Sequence, residues 1–219
     1  MTNHGPSLSG WESWVKARGR MLAKLSASDR SNSKTYFIDL HAATEGMFRR
    51  ILFVGLRLKK VTYRDANDWL FHNDETPDKE KFPKIFDALY AENGVVWEDL
   101  LTRTDGLATA WQLWLGFAKT VRNHLLHGIR SYETEWLECA IRIDQELVVR
   151  LDLVIAEVIG GSPIGPLDQL APRLPRGASG AVDIYKLVGR KPRKSLRPKI
   201  SLTDAQSDLA RLDSTRIWA

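Results

Sequence analysis

Leu107–Gly128 reads L-A-T-A-W-Q-L-W-L-G-F-A-K-T-V-R-N-H-L-L-H-G, and its reading decides the fold. Leu107, Trp111, Trp114, Ala118, Val121 and Leu125 recur at intervals of 4, 3, 4, 3 and 4. With 3.6 residues per turn, that spacing puts all six on one face of a long helix. Asp105 stands where an N-cap would accept orphan amides, and Gly128 where a left-handed residue closes a helix. The stripe is wide and apolar, so it predicts a helix packed into a core.

Working outward, the same periodicity returns on both sides. Phe37–Leu58 carries Phe37, Leu40, Met47, Ile51, Val54 and Leu58 at helical spacing, with Thr44 in the one polar slot. Glu133–Ile159 carries Leu137, Ala140, Leu147, Leu151, Val154 and Val158, flanked by Ile141, Val148 and Ile155, which predicts a wide buried face. Asp144 lies inside that stripe, where a buried pair with an arginine would account for it. Shorter helices are expected at Trp11–Leu25, around Asp65–Phe71, from Phe82 to Ala91 before Asn93-Gly94, and over Val95–Leu101. The polar stretches Ser26–Lys34 and Lys59–Glu80, the latter broken by Pro77, read as connections. There is no strand alternation and no repeat of 20–50 residues. The prediction is all-α, a four- to five-helix up-and-down bundle over residues 1–160.

Gly160-Gly161 closes the bundle, and residues 161–219 form a Pro/Gly-rich basic C-terminal extension. A short helix capped by Thr203 is expected near Thr203–Leu212. Val182, Ile184, Tyr185, Leu187 and Val188 can anchor the extension, which predicts partial order, and Trp218 can dock. The net charge of +5 is unevenly placed: from Gly161 on, eleven Lys or Arg face five Asp or Glu, whereas residues 1–160 hold twenty-one against twenty-two. The basic run Lys186–Lys199 reads either as an arm for nucleic acid or as a solvated tail or protein-docking segment.

Apolar residues at 43% suffice for one filled core, and eight tryptophans imply large packed surfaces. Cys139 is the only cysteine, so an internal disulfide and a cysteine-rich zinc site are excluded. It reads as a small core hydrophobe. His4, His41, His72, His124 and His127 show no metal-ligand pairing with it, and no cofactor is implied. The first ten residues lack a basic stretch followed by an apolar one, and Arg150, Asp152 and Glu157 interrupt the longest apolar run. The expectation is a soluble, cytoplasmic protein without a membrane partner.

Val121–Arg130, V-R-N-H-L-L-H-G-I-R, carries the chemistry. A guanidinium can hold a phosphate and an imidazole can move a proton near neutral pH, so Arg122 and His127 are sufficient to cut RNA without a metal. On an ideal helix Arg122 lies at the rim of the apolar face. His127 lies on the far side, about 140° from Arg122. The two meet in one site if the arginine reaches round or the last turn distorts. The alternative is that both cap carbonyls at a helix C-terminus.

The pattern R-N-x-x-x-H, on the penultimate core helix, resembles the R-x4–6-H signature of the HEPN superfamily (higher eukaryotes and prokaryotes nucleotide-binding domains) over roughly residues 10–160. The resemblance implies a small helical domain, RNase activity, and a homodimer in which two such motifs share one cleft. It implies Arg122 and His127 as catalytic residues, with Asn123 orienting the phosphate or the helix end. It also implies an acidic residue from an earlier helix beside the pair. Glu45 is the candidate, although it could equally form an ordinary i, i+4 pair with Arg49. The setting implied is a toxin or abortive-infection effector in bacterial defence, acting on RNA and silenced by a regulatory or antitoxin protein. One HEPN group is controlled through a tyrosine two residues after the histidine; that position is Ile129 here, and the nearest tyrosine is Tyr132. The other readings are a non-catalytic helical module that dimerises and binds a nucleotide or a protein, and a DNA-binding regulator using the tail.

Overall fold

In the computed structural model residues 33–73, 81–159 and 199–213 are described. Of these residues 84% are helical and none lies in a strand. The fold is all-α. In chain order the helices are α1 (Ser33–Leu58), α2 (Tyr63–Asn73), α3 (Lys81–Tyr90), α4 (Trp97–Thr102), α5 (Leu107–Leu113), α6 (Lys119–Leu126), α7 (Thr134–Ile159) and α8 (Leu202–Asp213). A 3-10 turn follows α3, and a five-residue π-helical segment, Trp114–Ala118, joins α5 to α6. The expected helix over Trp11–Leu25, the loop up to residue 32, the Gly160-Gly161 closure, the anchors at 182–188, the basic run up to residue 198 and Trp218 lie outside the described residues. Ser33 and Lys34, expected in that loop, form the first turn of α1.

The chain divides into two compact units built from separate segments. Among the described residues, the first unit holds Glu45–Asn73, Lys81–Leu101 and Asp152–Ile159. The second holds Ser33–Thr44, Thr102–Leu151 and Lys199–Asp213.

In the first unit the apolar stripes of α1, α3 and α4 supply an aromatic cluster. Phe82 meets Phe48 edge-on at 4.8 Å and Trp97 at 4.9 Å, while Phe86 stacks on Tyr90 at 4.6 Å. Such tilted and offset pairings suit the ring quadrupoles. The Tyr90 hydroxyl donates to the Ile51 carbonyl at 2.7 Å, and Gly55 lets the ring approach α1. A Cβ there would stand 2.9 Å from Tyr90 Cε2 and 3.0 Å from Leu89. Thr62 caps α2 by accepting the Asp65 amide at 3.1 Å, and Asp87 accepts the Trp97 amide that opens α4.

In the second unit Arg150 of α7, fully buried, pairs with Glu146 one turn earlier at 3.0 Å. It also donates to the carbonyls of Asp105 and Leu212. One cation thus satisfies the loop before α5 and the C-terminal end of α8, where helix carbonyls lack partners. Asp105 therefore acts through its carbonyl and not as the expected N-cap. The residue before α5 is Gly106 at φ 76°, and it makes no side-chain cap. That conformation demands glycine, and a Cβ there would also press on the end of the Leu212 side chain. The capping of α8 also differs from expectation. Ser201, not Thr203, accepts the Asp204 amide at 3.1 Å and donates to the Asp204 carboxylate, a reciprocal cap.

Candidate functional site

The predicted helix over Leu107–Gly128 exists, but the π-helical segment interrupts it. Within the segment the hydrogen bonds slip by one residue: the Lys119 amide reaches the Trp114 carbonyl, five positions back. One extra residue rotates everything beyond it by about 100° relative to an unbroken α-helix. Every residue from Leu113 to Lys119 is buried, so the chain here crosses the unit's interior. All six stripe residues are buried, Val121 and Leu125 beyond the slip included. The expected angle between Arg122 and the stripe, which assumed straight geometry, does not carry over.

A buried polar group holds this segment. Asp144 of α7 accepts the Trp114 indole N–H at 2.7 Å, and its other oxygen lies 3.0 Å from His41 Nδ1 on α1. All three residues are completely buried. The His41 ring lies parallel to Trp114 at 5.0 Å, Trp111 stacks beyond at 5.7 Å, and the buried Lys119 ammonium stands 5.4 Å from the Trp114 ring. The partners of Asp144 are thus a histidine and a tryptophan where an arginine was expected. Nothing in the periodicity of Leu107–Gly128 pointed to His41 or Trp114 as polar partners; the one legible signal was a carboxylate on an apolar stripe.

At the other end of α6 the chain stops in a tight turn. The Ile129 amide reaches the His124 carbonyl at 2.9 Å and the Gly128 amide reaches Leu125 at 3.4 Å, with Gly128 at φ 63°. That pair of bonds around a left-handed glycine is a Schellman motif. His127 sits just outside the helix at φ −91°, ψ 6°, so the last turn departs from helical geometry at the predicted histidine.

Of the predicted site residues, Arg122 and Asn123 are half-buried on α6 and His127 is exposed at its end. The Arg122 guanidinium donates to the Asn123 side-chain oxygen at 3.0 Å. The Asn123 carbonyl accepts the His127 amide, also at 3.0 Å. Asn123 therefore touches both the arginine and the backbone that carries the histidine. Glu45 is buried on α1 and belongs to the first unit, whereas Arg122, Asn123 and His127 belong to the second. Leu126 and Ile129, on either side of His127 and Gly128, are 48% and 66% exposed.

Beside the motif lies a group the sequence analysis missed. His124 Nδ1 and the Tyr132 hydroxyl are 2.6 Å apart, with the two rings parallel. Burial pushes the Tyr132 phenol up, and the nearby Arg130 charge partly offsets this. Tyr132 leans on Trp136 at 5.0 Å, and Trp136 stacks on Phe117 at 5.2 Å with an interplanar angle of 10°. The Arg130 guanidinium stands over both Tyr132 and Trp136, at 5.0 and 5.3 Å. Cys139 is buried, and burial pushes its thiol up to about 11. It sits in the core as a small apolar side chain.

Among the described residues no three His, Cys, Asp or Glu side chains are grouped to hold a metal ion, and no helix is long and apolar enough to cross a membrane. The chain matches no family model, no curated protein and no solved structure in these comparisons.

Proposed function

We propose that the protein is a metal-independent endoribonuclease of the HEPN type, acting as a homodimer in the cytoplasm. The observation that supports this reading is the end of α6. A half-buried arginine is steadied by Asn123 one turn before an exposed histidine, on a helix whose final turn breaks at that histidine.

In this mechanism His127 takes the proton from a ribose 2′-OH. The 2′-oxygen then attacks the adjacent phosphorus, and the bond to the 5′-oxygen breaks. The departing oxygen receives a proton from the second histidine of the dimer. The products are a 2′,3′-cyclic phosphate and a free 5′-OH. Arg122 holds the phosphate and stabilises the charge of the pentacoordinate transition state. Asn123 keeps the guanidinium in place and ties it to the backbone of His127. DNA, lacking the nucleophile, is not cut.

Proton transfer and electrostatic stabilisation each supply a few orders of magnitude in rate, so His127→Ala and Arg122→Ala should each slow RNA cleavage by about 10²-fold or more. His127 is exposed, so its replacement should change stability by less than about 0.5 kcal/mol. Gel analysis of RNA cleavage in EDTA, alongside urea unfolding of the variant, checks both. His127→Ala protein cutting at the wild-type rate, or wild-type activity abolished by EDTA, ends the proposal. The biological role that goes with it is that of a toxin or abortive-infection effector held silent by a partner protein.

A second reading has its own support. Leu126 and Ile129 present apolar surface on both sides of His127, as an association face would. A non-catalytic module that dimerises and binds a nucleotide or a protein would use the same helix end without cleavage.

A further inference from the structure

Arg130 is exposed, and its guanidinium stands over the rings of Tyr132 and Trp136, 5.0 and 5.3 Å from their centroids. Those rings are themselves fixed. Tyr132 is tied to His124 through its hydroxyl, and Trp136 is stacked on the buried Phe117. The floor beneath the cation is therefore fixed, and it begins at Tyr132, five residues after His127. The attraction of a guanidinium to an aromatic face uses none of its N–H donors and neutralises none of its charge. Its outer face is a π surface on which an unpaired base can stack, while its edge can reach a phosphate oxygen. A paired base inside a duplex offers neither face.

We propose that Arg130, supported by Tyr132 and Trp136, is a binding subsite for one unpaired nucleotide of single-stranded RNA next to the phosphate handled by Arg122 and His127. The proposal deepens the nuclease reading and rests on it for the identity of the ligand as RNA. It assigns the preference for unpaired substrate to a residue outside the R-x4-H pattern. His124 is then a positioning residue for Tyr132, not a second proton carrier.

The test uses the full chain with His127→Ala, so that binding is read without cleavage. Anisotropy of a labelled, unstructured RNA is compared with that of a hairpin duplex. Arg130→Gln should weaken binding of the unstructured RNA by about tenfold or more and leave the duplex within about twofold. Arg130→Lys keeps the charge but loses the plane, and should rescue only a small part of the loss. Tyr132→Phe keeps the ring but loses the tether to His124, and should weaken binding of the unstructured RNA by about threefold, less than Arg130→Gln does. Equal weakening for both RNAs would reduce Arg130 to a general electrostatic contact and overturn the subsite. Unchanged binding of the unstructured RNA would overturn it as well, as would no detectable RNA binding by the parent. Cleavage by the wild-type chain is measured in parallel. Activity with no Arg130 effect sinks the subsite and leaves the nuclease, whereas an Arg130-dependent preference without cleavage sinks the nuclease and leaves the subsite.

Discussion

The first unit gathers rings, Phe48, Phe82, Phe86, Tyr90 and Trp97, that meet edge-on or offset. The second gathers hydrogen-bonding groups, with Asp144 between His41 and Trp114 and with Arg150 between Glu146 and two carbonyls. An exchange within the ring packing strands no polar group, so its losses are limited to contacts and volume. A buried carboxylate or guanidinium does not forgive them, because each removed partner leaves a polar group desolvated. The comparison teaches that the buried networks of Asp144 and Arg150 tolerate less than the ring cluster of the first unit. The π-helical segment is at the centre of that intolerance.

The comparison is broken most sharply at Asp144. Asp144→Ala strips the acceptor from a fully buried histidine and tryptophan and should cost about 3–5 kcal/mol in urea unfolding. A loss under about 1 kcal/mol would mean that the network contributes nothing the apolar packing does not. In the first unit Phe86→Leu, a change of shape without a polar consequence, should cost only about 1.5 kcal/mol by the same measurement. A cost equal to that of Asp144→Ala would erase the distinction.

Tyr90 sharpens it further, since it brings a hydroxyl into that ring cluster. Tyr90→Phe removes the bond to the Ile51 carbonyl and should cost about 1 kcal/mol. Burial pushes the Tyr90 phenol far above its ordinary value of 10. A phenol raised in the folded state contributes stability that is fully present below the unfolded value and is lost as pH climbs past it. Stability should therefore fall above about pH 10 in the parent and fall less steeply in Tyr90→Phe, as followed by unfolding at alkaline pH.

The smallest effect compares two helix ends. α1 and α6 both stop in a Schellman turn, but the left-handed residue is Lys60 at φ 64° in the first unit and Gly128 in the second. A side chain in that conformation is strained, so Lys60→Gly should raise the midpoint of thermal unfolding by the equivalent of about 0.5–1 kcal/mol. No gain would mean that the Lys60 side chain offsets its own strain.

Much of this was legible beforehand. The stripes of α1, α5–α6 and α7 are local patterns that need only a core to face, and Gly128 is a local signal for a helix end. Caps were less legible because neighbouring polar residues compete for the same amide. Ser201 won over Thr203 through its reciprocal bond with Asp204, and Gly106 takes the position before α5 because the chain enters that helix at φ 76°, which glycine adopts freely. In the site, Arg122, Asn123 and His127 were read from their spacing, whereas the bond from Arg122 to Asn123 was not, since successive side chains on a helix point apart. Tyr132 was read only as the tyrosine nearest the motif, and its grouping with His124, Arg130 and Trp136 was not legible because these residues straddle a turn, where helical periodicity offers no guide.

By itself the sequence determined that the chain would be helical, where most helices run, and that a guanidinium and an imidazole would close the same helix. Only the tertiary structure decided the slip at Trp114–Ala118 and the partners of Asp144. Moving a hydrogen bond from the fourth to the fifth residue back gains nothing locally. It is held here by side chains 30 and 103 positions apart in sequence, whose meeting no local pattern records.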